Sequence, residues 1–460
     1  MRLPSDFRFG AATAAFQIEG AVHEDGRGES IWDRFARTPG KVANGDHGDV
    51  ACEHYRRWPA DLDLMRDLGL ESYRFSIAWP RVVPDGQGPV NPAGLDFYRR
   101  LAEGLLQRGI EPLATLYHWD LPQALQDRGG WSERDTVERF REYAVAVYER
   151  LGDVILSWIT INEPWVVAFA GHAYGRKAPG ISDWPTAVRV SHHVNLAHGD
   201  AVRALREARP GARIGASLNL APIYPATDSE VDLEAARRVD GHYNRWFLDP
   251  ILRGAYPADM LDLYERELGT LDFVRDGDLA RISLPTDFLG VNYYRPERVR
   301  DDPGDAPLRA AAAPPQPPLT DMGWEVRPEA LGEVLARVRN EYGNPRVYIT
   351  ENGACYDDPP ARNGAVEDPG RREYLRSHLG AVREAFERGS NVHGYYVWSL
   401  LDNFEWEDGY GRRFGIVHVD YETQRRTPKA SAHWYSGYIR RAREDGDSGP
   451  ARDSTNDEEE

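Results

Sequence analysis

The feature that most constrains the fold is a set of eight short apolar runs separated by segments with helical periodicity. Each run is nearly continuous in apolar residues, which is typical of a strand buried on both faces. Strands that alternate with helices form right-handed βαβ units and a parallel sheet. Eight such units predict a closed barrel. The predicted strands are Phe9–Gln17, Ser72–Trp79, Pro112–Trp119, Trp158–Glu163, Arg213–Leu220, Phe288–Tyr294, Val347–Glu351 and Gly394–Leu400.

The segments between the runs carry helix signals and leave room for long loops. Asn91 and Pro92 provide an N-cap and a first-turn proline, an apolar stripe follows at helical spacing, and Gly109 ends the helix. The 460 residues exceed the length of a minimal barrel. The sequence therefore predicts an α/β protein, a single (β/α)8 TIM barrel with long βα loops that build a deep pocket.

Two stretches lie outside this core. The segment Arg295–Leu319 is rich in Pro and Ala and has predicted strands on both sides, so we expect a long, mobile βα loop. The last residues, 443–460, are acidic and poor in apolar side chains, which is typical of a disordered tail. We therefore expect one catalytic barrel domain over residues 1–442 and a dispensable tail after it.

Charge and cysteine content exclude several function classes. The chain carries 56 basic and 74 acidic residues, a formal net charge of −18, which argues against a nucleic-acid or anionic-membrane partner. The only cysteines, Cys52 and Cys355, cannot form a disulfide framework or a cysteine-rich metal site. No apolar segment resembles a signal peptide or a membrane span, so a cytoplasmic protein is expected. A homo-oligomer remains possible.

Polar and aromatic residues stand where the predicted strands end. In a parallel barrel the C-terminal strand ends and the following loops build the active site. Any one of these residues could be a structural polar group, but together they describe a pocket that hydrogen-bonds many hydroxyls and stacks a sugar ring. They are Gln17, His118, Trp119, Asn162, Glu163, Asn219, Asn292, Tyr294, Glu351, Trp398, Glu405 and Trp406.

Two positions within this set indicate chemistry. The run that ends in Asn162 and Glu163 stops at Pro164, which cannot continue a strand ladder, so a carboxylate is presented at a strand end. Arg74 lies inside an apolar run, where an unpaired guanidinium would be costly. We therefore expect a carboxylate partner for Arg74 inside the barrel.

Two other function classes fit the residues at the predicted strand ends less well. A non-catalytic sugar-binding barrel would keep the aromatics and amides but lose a catalytic Glu. A metal-dependent barrel hydrolase needs His and Asp clusters at strand ends, whereas His192, His193 and His198 lie on a predicted helix at spacings that share no face.

Several motifs resemble those of glycoside hydrolase family 1, the β-glucosidase family. The resemblance runs from residue 7 to residue 429, nearly the whole chain without the acidic tail. The two most specific motifs are TINEP, which contains Glu163, and YITENG, which contains Glu351. The others are FQIEG at 16–20, YRFSIAWPR at 73–81, LYHWD at 116–120, GVNYY at 290–294 and WSLLDNFEW at 398–406.

The resemblance implies a retaining β-glycosidase that acts on terminal β-D-glucosyl residues, with side activity on β-galactosides and β-fucosides. It implies that Glu351 is the nucleophile, ionised and oriented by Arg74 and Tyr294, and that Glu163 is the acid/base, with a raised pKa. Asn292 is implied as a supporting partner. The resemblance implies a small-molecule β-glycoside substrate, no cofactor and no metal.

The resemblance also implies the substrate-binding residues. Gln17, His118, Asn162 and Glu405 would bind glycone hydroxyls, Trp398 and Trp406 would stack on the sugar, and Trp119 would support them; Phe414 joins this set, and Trp165 and Trp324 would form aglycone walls. The chain departs from the family pattern near the entrance, where Lys177 stands in GHAYGRKAPG in place of an aromatic or His residue. This departure leaves the aglycone preference open.

Overall fold

Eight parallel strands close into a barrel in the computed structural model, which describes residues 3–4, 6–359 and 364–447. Each strand pairs with the strand before and after it, and β1 closes the barrel by pairing with β8 from Arg8 opposite Gly394 to Ala12 opposite Trp398. All eight predicted strands are confirmed. They are β1 Arg8–Ala12, β2 Ser72–Ser76, β3 Glu111–Tyr117, β4 Ser157–Asn162, β5 Arg213–Asn219, β6 Phe288–Asn292, β7 Val347–Asn352 and β8 Val392–Trp398.

Helices follow each strand and complete the (β/α)8 architecture. Their apolar stripes pack on the outside of the barrel, so both faces of the sheet are covered and the strands are buried along nearly their whole length. The helices of at least eight residues are His54–Asp67, Pro92–Gln107, Asp135–Leu151, Trp184–Ala208, Glu230–Asp240, Trp246–Arg253, Ala258–Leu268, Pro328–Glu341, Pro369–Glu387 and Ala430–Asp447.

Shorter helices lie mainly in the loops. Short α-helices span Ala15–Ile18, Ile31–Ala36, Trp79–Val82, Gln123–Gln126 and Asp278–Ile282. Three-residue 3₁₀ turns span Ala43–Gly45, Gly130–Ser132 and Trp406–Asp408, and π-turns span Val166–Ala170 and Gly241–Arg245.

The first strand is shorter than the sequence predicts. It ends at Ala12, and Gln17 lies on the short helix Ala15–Ile18 instead of at a strand end. The N–H of Ala15 donates to Ser76 Oγ at 2.7 Å, which turns the chain into this helix across the end of β2. An apolar run rich in Ala fits a helix as well as a strand, so periodicity alone could not separate the two.

The Pro- and Ala-rich segment Arg295–Leu319 is also more regular than predicted. It contains the strands Glu297–Asp301 and Ala310–Ala312, which form a small sheet with Ile223–Pro225 outside the barrel. A second small sheet pairs Val417–Val419 with Arg426–Pro428. The loop that follows β6 is therefore joined by backbone hydrogen bonds to the loop that follows β5.

The last helix runs further than the expected end of the barrel domain. It continues to Asp447, so the helix includes the first residues of the segment that the sequence assigns to the tail. Arg443 donates to the Glu71 carboxylate, at 2.5 Å from Nη2 to Oε2, and to the carbonyl of Phe7. The rest of the predicted tail lies outside the described residues. Within residues 3–4, 6–359 and 364–447, no helix is long and apolar enough to span a membrane.

Candidate active site

A cavity of about 280 Å³ opens at the C-terminal end of the barrel strands. Most residues singled out by sequence line it, whereas Gln17, Arg74 and Asn162 lie behind the lining and hydrogen-bond to it. Both candidate catalytic carboxyls, those of Glu163 and Glu351, line this one cavity, although they are far apart in sequence. The lining members of the predicted set are His118, Trp119, Glu163, Trp165, Asn219, Asn292, Tyr294, Trp324, Glu351, Trp398, Glu405, Trp406 and Phe414.

Glu351, at the end of β7, is held by two strong donors. Arg74 Nη1 donates to Glu351 Oε1 at 2.6 Å, and the Tyr294 hydroxyl donates to Oε2 at 2.6 Å. The expected partner of the buried guanidinium is therefore Glu351. Burial raises the pKa of Glu351, and Arg74 and Tyr294 oppose that rise because both stabilise the ionised carboxylate.

Glu163, directly after β4, has a different environment. Its Oε1 accepts a hydrogen bond from Asn292 Nδ2 at 2.7 Å. Burial raises the pKa of Glu163 to about 8, and the negative charge of Glu351 acts in the same direction. Two nearby carboxyls cannot both ionise easily, so the shared proton resides on the one that lacks an arginine partner, Glu163.

The Asn292 amide is fixed by a chain of hydroxyls that the sequence did not reveal. Ser217 Oγ donates to Thr350 Oγ1 at 2.7 Å, and Thr350 Oγ1 donates to Asn292 Oδ1 at 2.7 Å. With its oxygen occupied, Asn292 must present Nδ2 to Glu163 and to Asn162 Oδ1, 2.9 Å away. The available signal was a Ser and a Thr within apolar strands, which must find partners when buried.

One side of the cavity is a connected polar network. Arg74 Nη2 donates to Asn162 Oδ1 at 2.6 Å, and Asn162 Nδ2 donates to His118 Nε2 at 3.1 Å. Trp119 Nε1 donates to the carbonyl of Asn162 at 2.9 Å. Gln17 Nε2 donates to the carbonyl of Phe404 at 2.8 Å and approaches Glu405 Oε2 at 3.5 Å. The buried acceptor Gln17 Oε1 has no partner within the described residues.

Indole rings frame the same side. Trp398 stacks on His118 with ring centroids 5.7 Å apart, and Trp406 packs against Trp119 at 4.6 Å. Glu405 lines the cavity beside Gln17. Burial raises the pKa of Glu405 to about 8, and Lys177 opposes this rise. The cavity thus combines flat apolar walls with hydrogen-bonding groups, as a sugar site requires.

The mouth of the cavity has a second group of aromatic rings. Trp324 packs against Phe414 at a centroid distance of 5.8 Å. On another part of the lining, Trp165 donates from Nε1 to His242 Nε2 at 2.9 Å, and its ring centroid lies 4.8 Å from that of Tyr243. Tyr243 was not predicted, because it lies on the π-turn Gly241–Arg245, far from any strand end in the sequence.

Lys177 lines the cavity and forms an ion pair there. Its Nζ donates to Glu407 Oε2 at 2.7 Å and stands 5.4 Å from the Trp119 ring centroid and 5.9 Å from that of Trp406. Its effect on the aglycone preference stays an open question of the sequence analysis.

Three residues of the site have left-handed backbone. The φ angles are 83° at Trp119, 48° at Glu163 and 48° at Trp406. Residues with a Cβ rarely adopt these angles, and such conformations concentrate at functional sites. All three residues line the cavity: Trp119 and Glu163 closely follow the ends of β3 and β4, and Trp406 begins the turn Trp406–Asp408.

The three helical histidines make separate hydrogen bonds. His192 Nε2 bonds to Asp278 Oδ2 at 2.9 Å, His193 Nδ1 to the carbonyl of Trp131 at 2.9 Å, and His198 Nδ1 to Thr160 Oγ1 at 2.6 Å. These histidines therefore do not converge on one point. In the described part of the chain, no group of three or more His, Cys, Asp or Glu side chains is arranged to hold a metal ion.

A pair of buried carboxyls with unequal hydrogen-bond partners, inside a cavity of amides and indoles, is typical of enzymes that hydrolyse glycosidic bonds. Comparison with known proteins agrees with this class. The family described as glycosyl hydrolase family 1 matches residues 1–444.

Individual relatives give the same result. The chain is 48% identical over 441 residues to β-glucosidase A of Acetivibrio thermocellus, covering 95% of this chain and 98% of the relative. It is 45% identical to a bifunctional β-D-glucosidase/β-D-fucosidase of Bifidobacterium breve, with 95% and 98% covered. The crystal structure of the β-glucosidase from Exiguobacterium antarcticum B7 superposes with a TM-score of 0.94 at 46% identity, covering 96% of this chain and 99% of that one. The chain belongs to glycosyl hydrolase family 1, and it is a glycoside hydrolase.

Proposed function

We propose that this enzyme removes terminal, non-reducing β-D-glucosyl residues from oligosaccharides or from aryl and alkyl glucosides, with retention of configuration. The observation that carries the proposal is the unequal environment of the two carboxyls. Glu351 is bound by Arg74 and Tyr294, whereas Glu163 accepts from the neutral amide of Asn292. One carboxyl is thus suited to nucleophilic attack and the other to proton donation.

In the first step a Glu351 oxygen attacks the anomeric carbon on the face opposite the leaving group. Glu163 transfers its proton to the glycosidic oxygen as the bond to the aglycone breaks. The product is a covalent glycosyl-enzyme ester of inverted configuration. The transition state resembles an oxocarbenium ion, and the negative charge of Glu351 stabilises it.

In the second step Glu163 acts as a base, because it lost its proton in the first step. It removes a proton from a water molecule that attacks the anomeric carbon, and the ester bond to Glu351 breaks. Two inversions give net retention. Esterification also removes the charge of Glu351, the neighbouring anion that had favoured the protonated form of Glu163.

The glycone would be bound by the polar network and the indoles. We propose that Gln17, His118, Asn162 and Glu405 bind its hydroxyls, that Asn162 holds the 2-hydroxyl, and that Trp398 supports the ring. The unpartnered acceptor Gln17 Oε1 supports this assignment. Trp406 would complete the wall.

We also propose side activity on β-fucosides and β-galactosides. Support for the first comes from the Bifidobacterium breve relative, which is named for both glucosidase and fucosidase activity. Trp165 and Trp324, at the mouth of the cavity, would contact the aglycone.

The decisive experiment replaces the nucleophile. Glu351→Gly should lower kcat on an aryl β-glucoside by several orders of magnitude, and azide should restore turnover in the emptied space. Because azide would attack once with inversion, the product should be the α-glucosyl azide, identified by NMR. A β-glucosyl azide would assign Glu351 as the acid/base instead and reverse the two roles.

A further inference from the structure

A row of hydrogen-bonded side chains crosses three adjacent strands of the barrel and ends at Glu163. Ser217 on β5 donates from Oγ to Thr350 Oγ1 on β7 at 2.7 Å, and Thr350 Oγ1 donates to Asn292 Oδ1 on β6 at 2.7 Å. Both hydroxyl residues are completely buried. Gly290 on β6 leaves room for them, because a Cβ there would lie 2.4 Å from Ser217 Oγ and 2.9 Å from Thr350 Oγ1.

The direction of these hydrogen bonds follows from Arg74. A guanidinium only donates, so Asn162 Oδ1, 2.6 Å from Arg74 Nη2, is an acceptor. The Asn292 atom that faces Asn162 Oδ1 at 2.9 Å is then the donor Nδ2. The other polar atom of the Asn292 amide, Oδ1, needs a donor, and the Thr350 hydroxyl provides it. The hydroxyl row therefore holds the amide in the one orientation that Arg74 permits.

The same amide donates to Glu163. Asn292 Nδ2 lies 2.7 Å from Glu163 Oε1. In a protonated carboxyl the carbonyl oxygen accepts from such an N–H, so the proton of Glu163 is on Oε2. Within the described residues Oε2 has no hydrogen-bond partner, and Glu163 lines the cavity. The proton is therefore on the oxygen that the protein leaves free for a ligand.

We propose that Thr350 and Ser217 are positioning residues for the acid/base: by fixing the amide of Asn292, they keep the proton of Glu163 on the oxygen that faces the leaving group. This inference deepens the proposed function and rests on it, because it takes Glu163 to be the proton donor. Neither hydroxyl residue lines the cavity, so both act through Asn292.

Loss of the Thr350 hydroxyl would release the amide. Asn292 Oδ1 would be buried without a donor, which is unfavourable. An amide that turns over would present Oδ1 to Glu163, and Glu163 would then donate its proton to that oxygen instead of to the substrate. Proton donation to the leaving group is therefore the step that the row should affect.

The test compares two aryl β-glucosides that differ in their need for an acid. Phenolate needs protonation to depart, whereas 2,4-dinitrophenolate does not. Thr350→Val keeps a branched side chain and removes the hydroxyl, so it should lower kcat/KM for phenyl β-D-glucoside about tenfold, the effect of one lost hydrogen bond. For 2,4-dinitrophenyl β-D-glucoside the change should be less than about twofold. In both cases kcat/KM reports the formation of the glycosyl-enzyme.

Two further variants test the row itself. Thr350→Ser retains the hydroxyl and should keep kcat/KM for both substrates close to the parent values. Ser217→Ala removes the donor to Thr350, while the carbonyl of residue 217 still accepts from the N–H of Glu163 at 2.8 Å. Ser217→Ala should show a smaller loss that is confined to the phenyl glucoside, and it provides the test if Thr350→Val does not fold.

The pH profile is a second readout. The N–H of Asn292 stabilises the ionised form of Glu163 and so opposes the rise of its pKa. In Thr350→Val the alkaline limb of kcat/KM should therefore move to higher pH, and in Thr350→Ser it should not move. The titratable groups around Glu163 are the same in every variant; they are Glu351, Arg74, Lys177, Tyr243 and Tyr294.

Thr160→Val is the matched control on β4. The Thr160 side chain is also fully buried, but its hydroxyl bonds to His198 Nδ1 at 2.6 Å, and Thr160 does not line the cavity. Any effect of this variant comes from packing, so it should be equal for the two substrates. Circular dichroism establishes that the variants are folded.

A loss in Thr350→Val that is absent, or equal for the two substrates, would overturn the proposal, as would a loss of the same size in Thr350→Ser. A parent enzyme that hydrolyses neither β-glucoside would instead refute the proposed function.

Discussion

Glu163 and Glu351 are the same side chain given different proton affinities by their neighbours. A guanidinium and a phenol hold Glu351, whereas Glu163 has only an amide donor and lies near the charge of Glu351. These unequal contacts are what the proposed mechanism requires of its nucleophile and its acid/base. Single-residue experiments should therefore separate the two roles.

Removing the acid should affect substrates according to their leaving group. A dinitrophenolate departs without protonation, so Glu163→Ala should still form the glycosyl-enzyme from dinitrophenyl β-glucoside and then stall, because no base activates water. Rapid-mixing kinetics should show a burst, and intact-protein mass spectrometry should detect the adduct. Steady turnover of this substrate without a burst would contradict the assignment.

The pH profile provides an independent check on Glu163. With a pKa of about 8, Glu163 is protonated at neutral pH and loses its proton as pH rises through that value. Activity of the parent enzyme should therefore fall on the alkaline side, near pH 8. Glu163→Gln cannot lose a proton there, so its residual activity should lack this limb; a limb that persists unchanged would exclude Glu163 as its origin.

Residue identities at the site were predictable, but their relations were not. The motifs indicated Arg74, Glu163 and Glu351. The apolar runs around Ser217 and Thr350 indicated only that these hydroxyls need partners, not that they fix the amide of Asn292. Hydrogen-bond direction depends on strand register across the barrel, which a single sequence does not specify. For the same reason the contact between Lys177 and Glu407, 230 residues apart, could not be foreseen.

At the scale of elements, buried charges hold the loops behind the cavity. Lys429, just before the last helix, donates to Asp402 Oδ1 at 2.7 Å and also to Asp358. Arg371 pairs with the same Asp358 at 2.8 Å and with Asp368 at 2.6 Å. Asp402 lies three residues before Glu405 in the loop after β8, so this cluster joins the loops after β7 and β8 to the start of the last helix.

Breaking this cluster should destabilise the protein. Lys429 is fully buried, so Lys429→Met would leave Asp402 and Asp358 without their ammonium partner in a dry environment. Breaking a buried ion pair by removing one partner costs about 3–5 kcal/mol. Denaturant unfolding should show a loss of this order, with no change for the exposed Lys41→Met. Equal free energies of unfolding for Lys429→Met and Lys41→Met would show that the cluster does not stabilise the fold.

Elements were predicted best where an unbroken apolar run or a clear apolar stripe coincided with burial. The eight barrel strands show the first pattern and the long helices show the second. The segment Arg295–Leu319 was predicted to be irregular because its Pro and Ala residues give no alternation, yet part of it pairs with Ile223–Pro225. Such short strands are set by available partners more than by their own propensity.

At the scale of the whole molecule, the two ends of the chain close the barrel together. β1 pairs with β8, and the Tyr435 hydroxyl on the last helix donates to the carbonyl of Gly10 in β1 at 3.1 Å. Arg443 adds its ion pair with Glu71 at the end of this helix. The helix Ala430–Asp447 is therefore an integral part of the barrel.

Truncations should separate this helix from the segment after it. Deleting residues 448–460, which are acidic and poor in apolar side chains, should leave kcat/KM and the unfolding midpoint unchanged. Deletion from residue 430 onwards should prevent folding, because it uncovers β1 and removes buried Tyr435. Reduced activity of the shorter truncation would assign a role to the segment that its composition does not predict.

The overall architecture was the most predictable level. Eight alternating units admit few arrangements other than a closed barrel, and that barrel necessarily gathers the strand ends at one face. The position of Gln17 shows the limit, because the residue lies near the cavity on a helix and not at a strand end. The sequence therefore predicts the position of the cavity more accurately than the secondary structure of the residues around it.

The left-handed backbone at Trp119, Glu163 and Trp406 bears on how the thermal stability of such an enzyme can be increased. Conformations of this kind cost of order 1–3 kcal/mol each and relax most readily when the residue becomes Gly or Asn. Selection for thermal tolerance alone would therefore favour such a change at Glu163, whereas at Trp119 and Trp406 the loss of a buried indole outweighs the strain that is relaxed. A more stable variant that keeps its activity must therefore carry its stabilising substitutions on the outer helices and retain the residues at these three strained positions.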